Sequence, residues 1–412
     1  MPNTSGRKPS FQILGLDRGV SHADDRKLGK ARRVWDQHRG ATERLVSIKR
    51  GLNITGREEK LFLRAMQEAF AHHYMGSVDF QKLCQQQEFF PWDLRSSEQL
   101  SQIPYFFVTA LKYHTVRSVE DDQIVLTLRS SGTSGQTSAI HLDRTSLARI
   151  NKVVRNIYRD LDMVDEVKTN YLCFTYDPEV ANDVGTAFSD KLLTGLTKVN
   201  HVCYAIEWDE AKNDWELNIP RVQEALERYE SSGRPFRILG FPAHTWRVLK
   251  EINSRRNGEN FRFGPESFVI TGGGWKNFDD QEIDKRIFRE QVSRWLGMPC
   301  KNVRDLYGMV EHGVPYCECE HFRMHIPCFS RVFVRDPLSL KLLPPGSEGL
   351  LQFVTPYHNS FPAISLLTTD RGVLLSECPC GRKSPVLELL GRAGVSKHKG
   401  CAIAALRVGI GK

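Results

Sequence analysis

Leu126-Thr127-Leu128-Arg129-Ser130-Ser131-Gly132-Thr133-Ser134-Gly135-Gln136-Thr137 is the stretch around which the chain is organised. The alternating run ending at Arg129 predicts a strand over 123–129. It stops abruptly in six residues that are all Ser, Thr or Gly. Two glycines let the backbone turn sharply and come close to a ligand, while hydroxyls and free N–H groups face inward as donors. A loop of donors with no acidic residue suits a polyphosphate. It is not a P-loop, because no Lys-Ser or Lys-Thr follows Gly135. Flexible surface loops share this composition, so its meaning depends on what surrounds it.

Upstream, Leu61, Phe62, Ala65, Met66, Phe70 and Ala71 recur at three- and four-residue spacing and predict a helix. Downstream, a helix is predicted over 145–161, followed by alternating units: strands at 171–175, 202–208, 237–241 and 268–271, and helices at 190–197, 220–229, 244–253 and 279–296. Strands alternating with helices imply an α/β fold with ligands at the strand ends. Beyond Tyr307 the segments 331–335, 349–355, 365–369 and 372–375 are short and separated by Pro and Gly, which predicts a smaller β-rich subdomain. The division expected is a basic extension (1–50), an α/β domain (51–305), a β-rich subdomain (306–395) and a short tail (396–412).

The chain has 412 residues, 40% of them apolar, and a formal charge of +8. Residues 1–50 hold 12 Lys/Arg against 5 Asp/Glu. The excess is thus nearly confined to an N-terminal arm, expected to be solvated and partly disordered, and it does not predict a nucleic-acid-binding protein. No apolar run approaches the ~18 residues of a membrane span, and the N-terminus has no secretory hydrophobic region. Ten cysteines in such a chain predict a reducing cytoplasm, with metal binding or thiol chemistry rather than disulfides.

Further constellations follow in order. Gly272-Gly273-Gly274, after an apolar strand, leaves a bare ledge against which a flat ring could lie, although tight strand-to-helix turns use the same triplet. Tyr307-Gly308-Met309-Val310-Glu311 offers an aromatic face for a base and a carboxylate for Mg²⁺. Thr368-Thr369-Asp370 places an acid after a strand, suited to a ribose diol, and Gly391-Arg392 adds a cation. Cys319 and His325 are spaced C-x5-H, and Cys378 and Cys380 form C-x-C before Gly381. Together they would close a tetrahedral structural Zn²⁺ site. Cys317, His321 and Cys328 are alternatives for one ligand, and reduced buried cysteines are the alternative to metal. Cys401, beside Lys397, His398 and Lys399, lies where cations lower a thiol pKa, or is an inert tail residue.

Taken in order, these motifs resemble the adenylate-forming ligase superfamily. The closer resemblance is to its LuxE-type acyl-protein synthetases. It rests on Phe106-Phe107 with Leu111-Lys112, Ser130 to Gln136, Leu239-Gly240-Phe241, Gly273-Gly274-Trp275-Lys276, Cys378-Pro379-Cys380-Gly381-Arg382 and Lys399-Gly400-Cys401. It spans roughly residues 55–405. The C-x5-H and C-x-C-G pairs are similar to an arrangement in the phenylacetate-ligase-like relatives.

The resemblance implies a large domain with mixed sheets and a small β-rich subdomain. It assigns ATP phosphates to Ser130–Gly135, adenine to Gly272–Gly274 with Tyr307, Mg²⁺ to Glu311, and ribose to Asp370 with Arg392. His244 falls where the superfamily places a residue gating the acid carboxylate, and Trp275 follows the ledge. Only 20 residues follow Arg392, so the C-terminal lid is expected to be truncated and its catalytic Lys cannot be carried over by position; Lys276, Lys397 and Lys399 are stand-ins. The implied activity is formation of acyl-AMP from a carboxylic, fatty acid, then transfer to Cys401 and on to an acyl reductase. Two alternatives stay open: a ligase that passes the acyl group to CoA, a carrier protein or an amine, and a non-catalytic nucleotide-binding scaffold.

Overall fold

The computed structural model describes residues 25–129, 138–175, 185–209, 214–275 and 282–393. The first described elements are α1 (Asp25–His38), α2 (Ala41–Val46), α3 (Gly56–Gly76) and α4 (Val78–Gln86), followed by the short β1 (Phe106–Phe107). The hairpin β2 (Ile124–Arg129) and β3 (Ala139–Asp143) runs straight into α5 (Arg144–Asp160). Next come β4 (Lys168–Cys173), α6 (Gly185–Thr194), β5 (Lys198–Tyr204), the hairpin β6 (Ile206–Asp209) and β7 (Asp214–Leu217), and α7 (Ile219–Ser232). The units continue with β8 (Phe236–Gly240), α8 (Pro242–Arg255), β9 (Phe268–Gly272), α9 (Lys285–Leu296), β10 (Val303–Tyr307) and β11 (Tyr316–Cys317). The last strands are β12 (Met324–His325), β13 (Arg331–Arg335), β14 (Glu348–Val354), β15 (Ser365–Leu375) and β16 (Val386–Arg392).

Local signals set the helix ends. Thr55 and Glu58 form a capping box on α3, while Asn218 caps α7, which carries Pro at its first turn. Asp284 Oδ1 accepts from the N–H groups of Arg286 and Ile287, so α9 begins there rather than at the expected 279.

One sheet has the order β11-β10-β9-β8-β4-β5, parallel except for β11. Its central strands are buried on both faces, as crossover helices require. Alternation divides the core. Leu172, Ile238, Val269 and Val303 pack with α7, α8 and α9, whereas Tyr171, Leu239 and Ile270 pack with α5. The second sheet runs β12-β16-β15-β14-β13 in antiparallel pairs, with β1 beside β15 in parallel.

Three expectations change. Residues 25–46, assigned to a solvated arm, form α1 and α2, with Ala31, Ala41, Leu45 and Val46 fully buried. The buried Glu68 carboxylate fixes the start of α2, accepting from Gly40 N at 2.6 Å and Thr42 N at 2.7 Å. The strand expected over 202–208 is divided at Ala205: β5 pairs with β4, Ala205 O accepts from Asn218 N at 2.9 Å, and β6 beyond it pairs with β7. The boundary at 305/306 falls inside β10, and β1 and β11 each join the sheet of the other segment, so the two sheets interlock in sequence.

Candidate active site and metal centre

The carboxyl ends of β8, β9 and β10 bring together Gly240, Gly272 and Tyr307. Gly272 pairs with Leu306, and a Cβ added there would lie 2.5 Å from Leu306 O. Gly273 (φ 79°) and Gly274 (φ 69°) adopt the left-handed conformation, leaving the expected bare ledge beside Tyr307. Trp275 turns inward and meets Phe288 of α9 edge-on at 6.3 Å, within the core. His244 stands on the first turn of α8, its ring 5.8 Å from Phe241.

Tyr307 links the two sheets. Its hydroxyl donates to Asp370 Oδ2 at 2.7 Å, and Arg392 Nε donates to Asp370 Oδ1 at 3.2 Å. Asp370 and Arg392 are register partners on β15 and β16, which is why residues 22 apart meet. Burial, then the Asp370 carboxylate, push the Tyr307 phenol well above its ordinary range, so it stays a donor. Its ring stacks on Phe353 of β14 at 5.8 Å. Behind Phe353 lies His312, with Nε2 2.8 Å from Tyr316 Oη; burial holds its pKa down to about 3.

Glu311 is 7% exposed and accepts from Ser138 Oγ. Ser138 directly follows the Ser/Gly stretch, so a carboxylate 173 residues away touches the base of that loop. Asp143, five residues on, caps α5 through Ser146 N at 2.9 Å. Ser138, Phe353 and His312 were missed in the sequence. Ser138 lies just beyond the glycines, and the other two carry no local signal. Ser130, Ser131, Gly132, Thr133, Ser134, Gly135, Lys276 and Cys401 lie outside the described residues.

Cys319, His325, Cys378 and Cys380 converge, with donor atoms all within 4.8 Å of one another. Cys319 Sγ and Cys378 Sγ are 3.7 Å apart, and Cys380 Sγ lies 3.2 Å from His325 Nε2. Gly381 (φ 78°) supplies the left-handed turn after Cys380, and His325 Nδ1 is 2.9 Å from Ser384 Oγ, leaving Nε2 to face the thiols. Burial and Arg382 bring His325 down to about 4, so it is neutral. Burial, together with the neighbouring thiols, pushes Cys378 up to about 12. Cys380 is lowered: burial opposes this, but the backbone N–H and side chain of Arg382 outweigh it.

A parallel sheet with glycines and a tyrosine at its carboxyl edge, joined to an antiparallel sheet carrying Asp370 and Arg392, has the architecture of an adenylate-forming ligase. The fold is shared with 2-hydroxyisobutyryl-CoA ligase in complex with 2-HIB-AMP and CoA (TM-score 0.65, 15% identity, covering 84% of this chain and 70% of that one). It is also shared with that ligase in the postadenylation state with R3-HIB-AMP (TM-score 0.63, 15% identity, 82% and 69%). The chain belongs to the LuxE acyl-protein synthetase family, which it matches over residues 44–407. Relatives include the long-chain-fatty-acid–luciferin-component ligases of Vibrio harveyi and Aliivibrio fischeri, 24% identical over 354 and 361 residues, each match covering 84% of this chain and 88% of the relative. As a member of that family it is an enzyme, an acyl-protein synthetase. Among the described residues, no helix is long and apolar enough to cross a membrane.

Proposed function

We propose that this enzyme activates a long-chain fatty acid with ATP and takes the acyl group onto Cys401 for delivery to a partner acyl reductase. The observation that carries the nucleotide assignment is the Tyr307–Asp370–Arg392 chain beside the glycine ledge. Adenine lies between the ledge and Tyr307, whose orientation Phe353 fixes from behind. The ribose diol bonds Asp370, which Arg392 holds in place through its other oxygen.

The acid's carboxylate oxygen attacks the α-phosphorus, and the bond to the leaving pyrophosphate breaks. The phosphate loop contributes donors to the oxygens that gain charge. Glu311, which accepts from Ser138 at the base of the loop, would carry Mg²⁺, which would neutralise phosphate charge. The Cys401 thiolate then attacks the acyl carbon, AMP leaves with the bonding pair, and a thioester remains. His244, at the same carboxyl edge, meets the acid in this reading, which its position on the first turn of α8 supports.

The four Cys/His donors fit Zn²⁺. A tetrahedron with Zn–S near 2.3 Å has S–S edges of about 3.8 Å, and Cys319 and Cys378 stand 3.7 Å apart. This metal would pin the turn after β11 to the turn between β15 and β16, a structural role.

Intact-protein mass spectrometry after incubation with ATP, Mg²⁺ and an acid tests the whole sequence. The expected result is a mass gain of one acyl group, reversed by hydroxylamine and absent in Cys401→Ser. Pyrophosphate release without an adduct would instead assign the acyl group to an external acceptor.

A further inference from the structure

We infer that Glu318 and Arg289 are a positioning pair that sets the base side of the nucleotide slot and ties it to the Cys/His cluster; this rests on the nucleotide reading above. Neither residue reaches the slot. Arg289, on α9, donates from Nη2 to both Glu318 oxygens at 2.8 and 2.7 Å. Glu318 Oε2 also accepts from Asp305 N at 2.8 Å, and Glu318 N donates to Asp305 O at 3.1 Å. Glu318 thus holds Asp305 of β10 at both its N–H and its carbonyl, two residues before Tyr307. The Asp305 carboxylate in turn takes Lys285 Nζ at 2.5 Å, from the first turn of α9. α9 is the helix that follows the glycine ledge, so one lattice sets the distance between the two walls of the slot.

The same lattice reaches the cluster. Glu318 immediately precedes Cys319, and the Arg289 guanidinium lies 4.2 Å from the ring centre of Phe322. Phe322 (φ 58°) occupies the turn from Cys319 to His325, its N–H bonding Cys319 O at 2.9 Å. Arg304, also on β10, donates from Nη1 to Glu318 O at 3.2 Å and to Leu161 O, at the end of α5, at 3.4 Å. Any shift of the cluster turn therefore passes to β10 through Glu318.

Both side chains are largely buried, 13% exposed for Arg289 and 7% for Glu318. A buried pair loses much hydration and is a weak source of net stability compared with apolar packing. Its distinctive effect is direction: a carboxylate held by three hydrogen bonds fixed in space can occupy one position only.

The test uses the full chain as purified, with a fluorescent trinitrophenyl-ATP probe for affinity and acid-dependent pyrophosphate exchange for kcat and KM. Arg289→Met with Glu318→Gln removes both charges together, so no buried ion is stranded and the fold is retained. The expected result is a probe Kd raised about tenfold, equivalent to about 1.4 kcal/mol, with kcat within about threefold of wild type. Arg289→Lys, keeping one donor, should fall between. Chelating the metal from wild type should raise Kd similarly, while chelating it from the double variant should add less than about twofold, because both act on one link. A double variant whose Kd stays within about twofold of wild type overturns the proposal, and so do two effects that simply multiply. Failure of wild type to bind the probe would overturn the nucleotide slot itself and the pair's role with it.

Discussion

Tyr307 carries two separable functions, a ring that stacks and a hydroxyl that orients Asp370, and substitution can divide them. Tyr307→Phe keeps the stack on Phe353 and removes the donor. Arg392 still holds the other Asp370 oxygen, so the expected loss is one charge-assisted hydrogen bond, about 1–2 kcal/mol. KM for ATP should rise about five- to thirtyfold with little change in kcat; an unchanged KM would remove Asp370 from the ribose assignment. Away from the slot, Asp190 illustrates burial outweighing a hydrogen bond. It is held by Thr175 Oγ1, yet burial raises its carboxyl to about 7. The folded state thus binds this proton more tightly than the unfolded state, in which the carboxyl titrates near 4. The stability it adds is complete below about pH 4 and is lost as pH rises through about 7. Asp190→Asn should therefore stabilise the protein progressively from pH 5 to pH 8, by up to about 4 kcal/mol. A thermal midpoint that moves equally at both pH values would contradict this. The residues legible in sequence were those with a chemical label, such as Asp370 in Thr-x-Asp or Glu311 four residues after Tyr307. Ser138, Phe353, Glu318 and Arg289 were not, because their roles arise from contacts 13 or more residues distant and no spacing rule encodes them.

Among elements, the β9–β10 pair is the most tightly constrained. At Gly272 a methyl group would lie 2.5 Å from Leu306 O, a backbone atom in a paired strand with no freedom to move aside. Gly272→Ala should separate the strands at the slot, costing about 1–3 kcal/mol. ATP affinity should fall more than stability does, read from nucleotide titration beside a thermal melt; equal losses would mean the glycine serves packing alone. Elements with a clean period were readable from sequence. The fully buried strands β4, β8 and β9 and the amphipathic α5 and α7 appear where apolar spacing places them. α1 and α2 were not readable, because α1 (Asp25–His38) is dominated by charge and buries one small residue, Ala31. Its lysines do their packing at a distance, Lys27 over the Phe90 ring at 5.1 Å and Lys30 over Trp92 at 5.3 Å. The break at Ala205 was equally silent, since a strand that changes sheets keeps the same alternation on both sides of the change.

For the whole molecule, the question is how two sheets with interleaved sequences stay in register, and the Cys/His cluster lies where their connections meet. Arg382, two residues after Cys380, donates to both Glu320 oxygens at 2.9 and 2.8 Å and to Asp160 O at 2.7 Å. Asp160 is the last residue of α5, so the cluster turn caps the same helix that leaves the β2–β3 hairpin. Asp160 Oδ2 also accepts from Leu52 N at 2.7 Å, and Cys328 N donates to Gly51 O at 2.7 Å, which brings in the N-terminal helical layer. A metal at the four donors would join segments 59 residues apart in sequence at the point where these contacts converge. Its binding energy then adds to folding energy, because the unfolded chain does not hold the four donors together. The expected metal content is one zinc per chain. Cys380→Ser should lose it and lower the thermal midpoint by about 5 °C, corresponding to about 4 kcal/mol for a chain of this length. Nucleotide affinity should fall in parallel, since the released turn no longer fixes Glu318 and β10. Elemental analysis showing no metal in the wild-type protein, with a Cys380→Ser midpoint unchanged, would reduce the cluster to four side chains packed by shape. Loss of metal with an unchanged midpoint would mean that Arg382 and Glu320 hold the turn on their own.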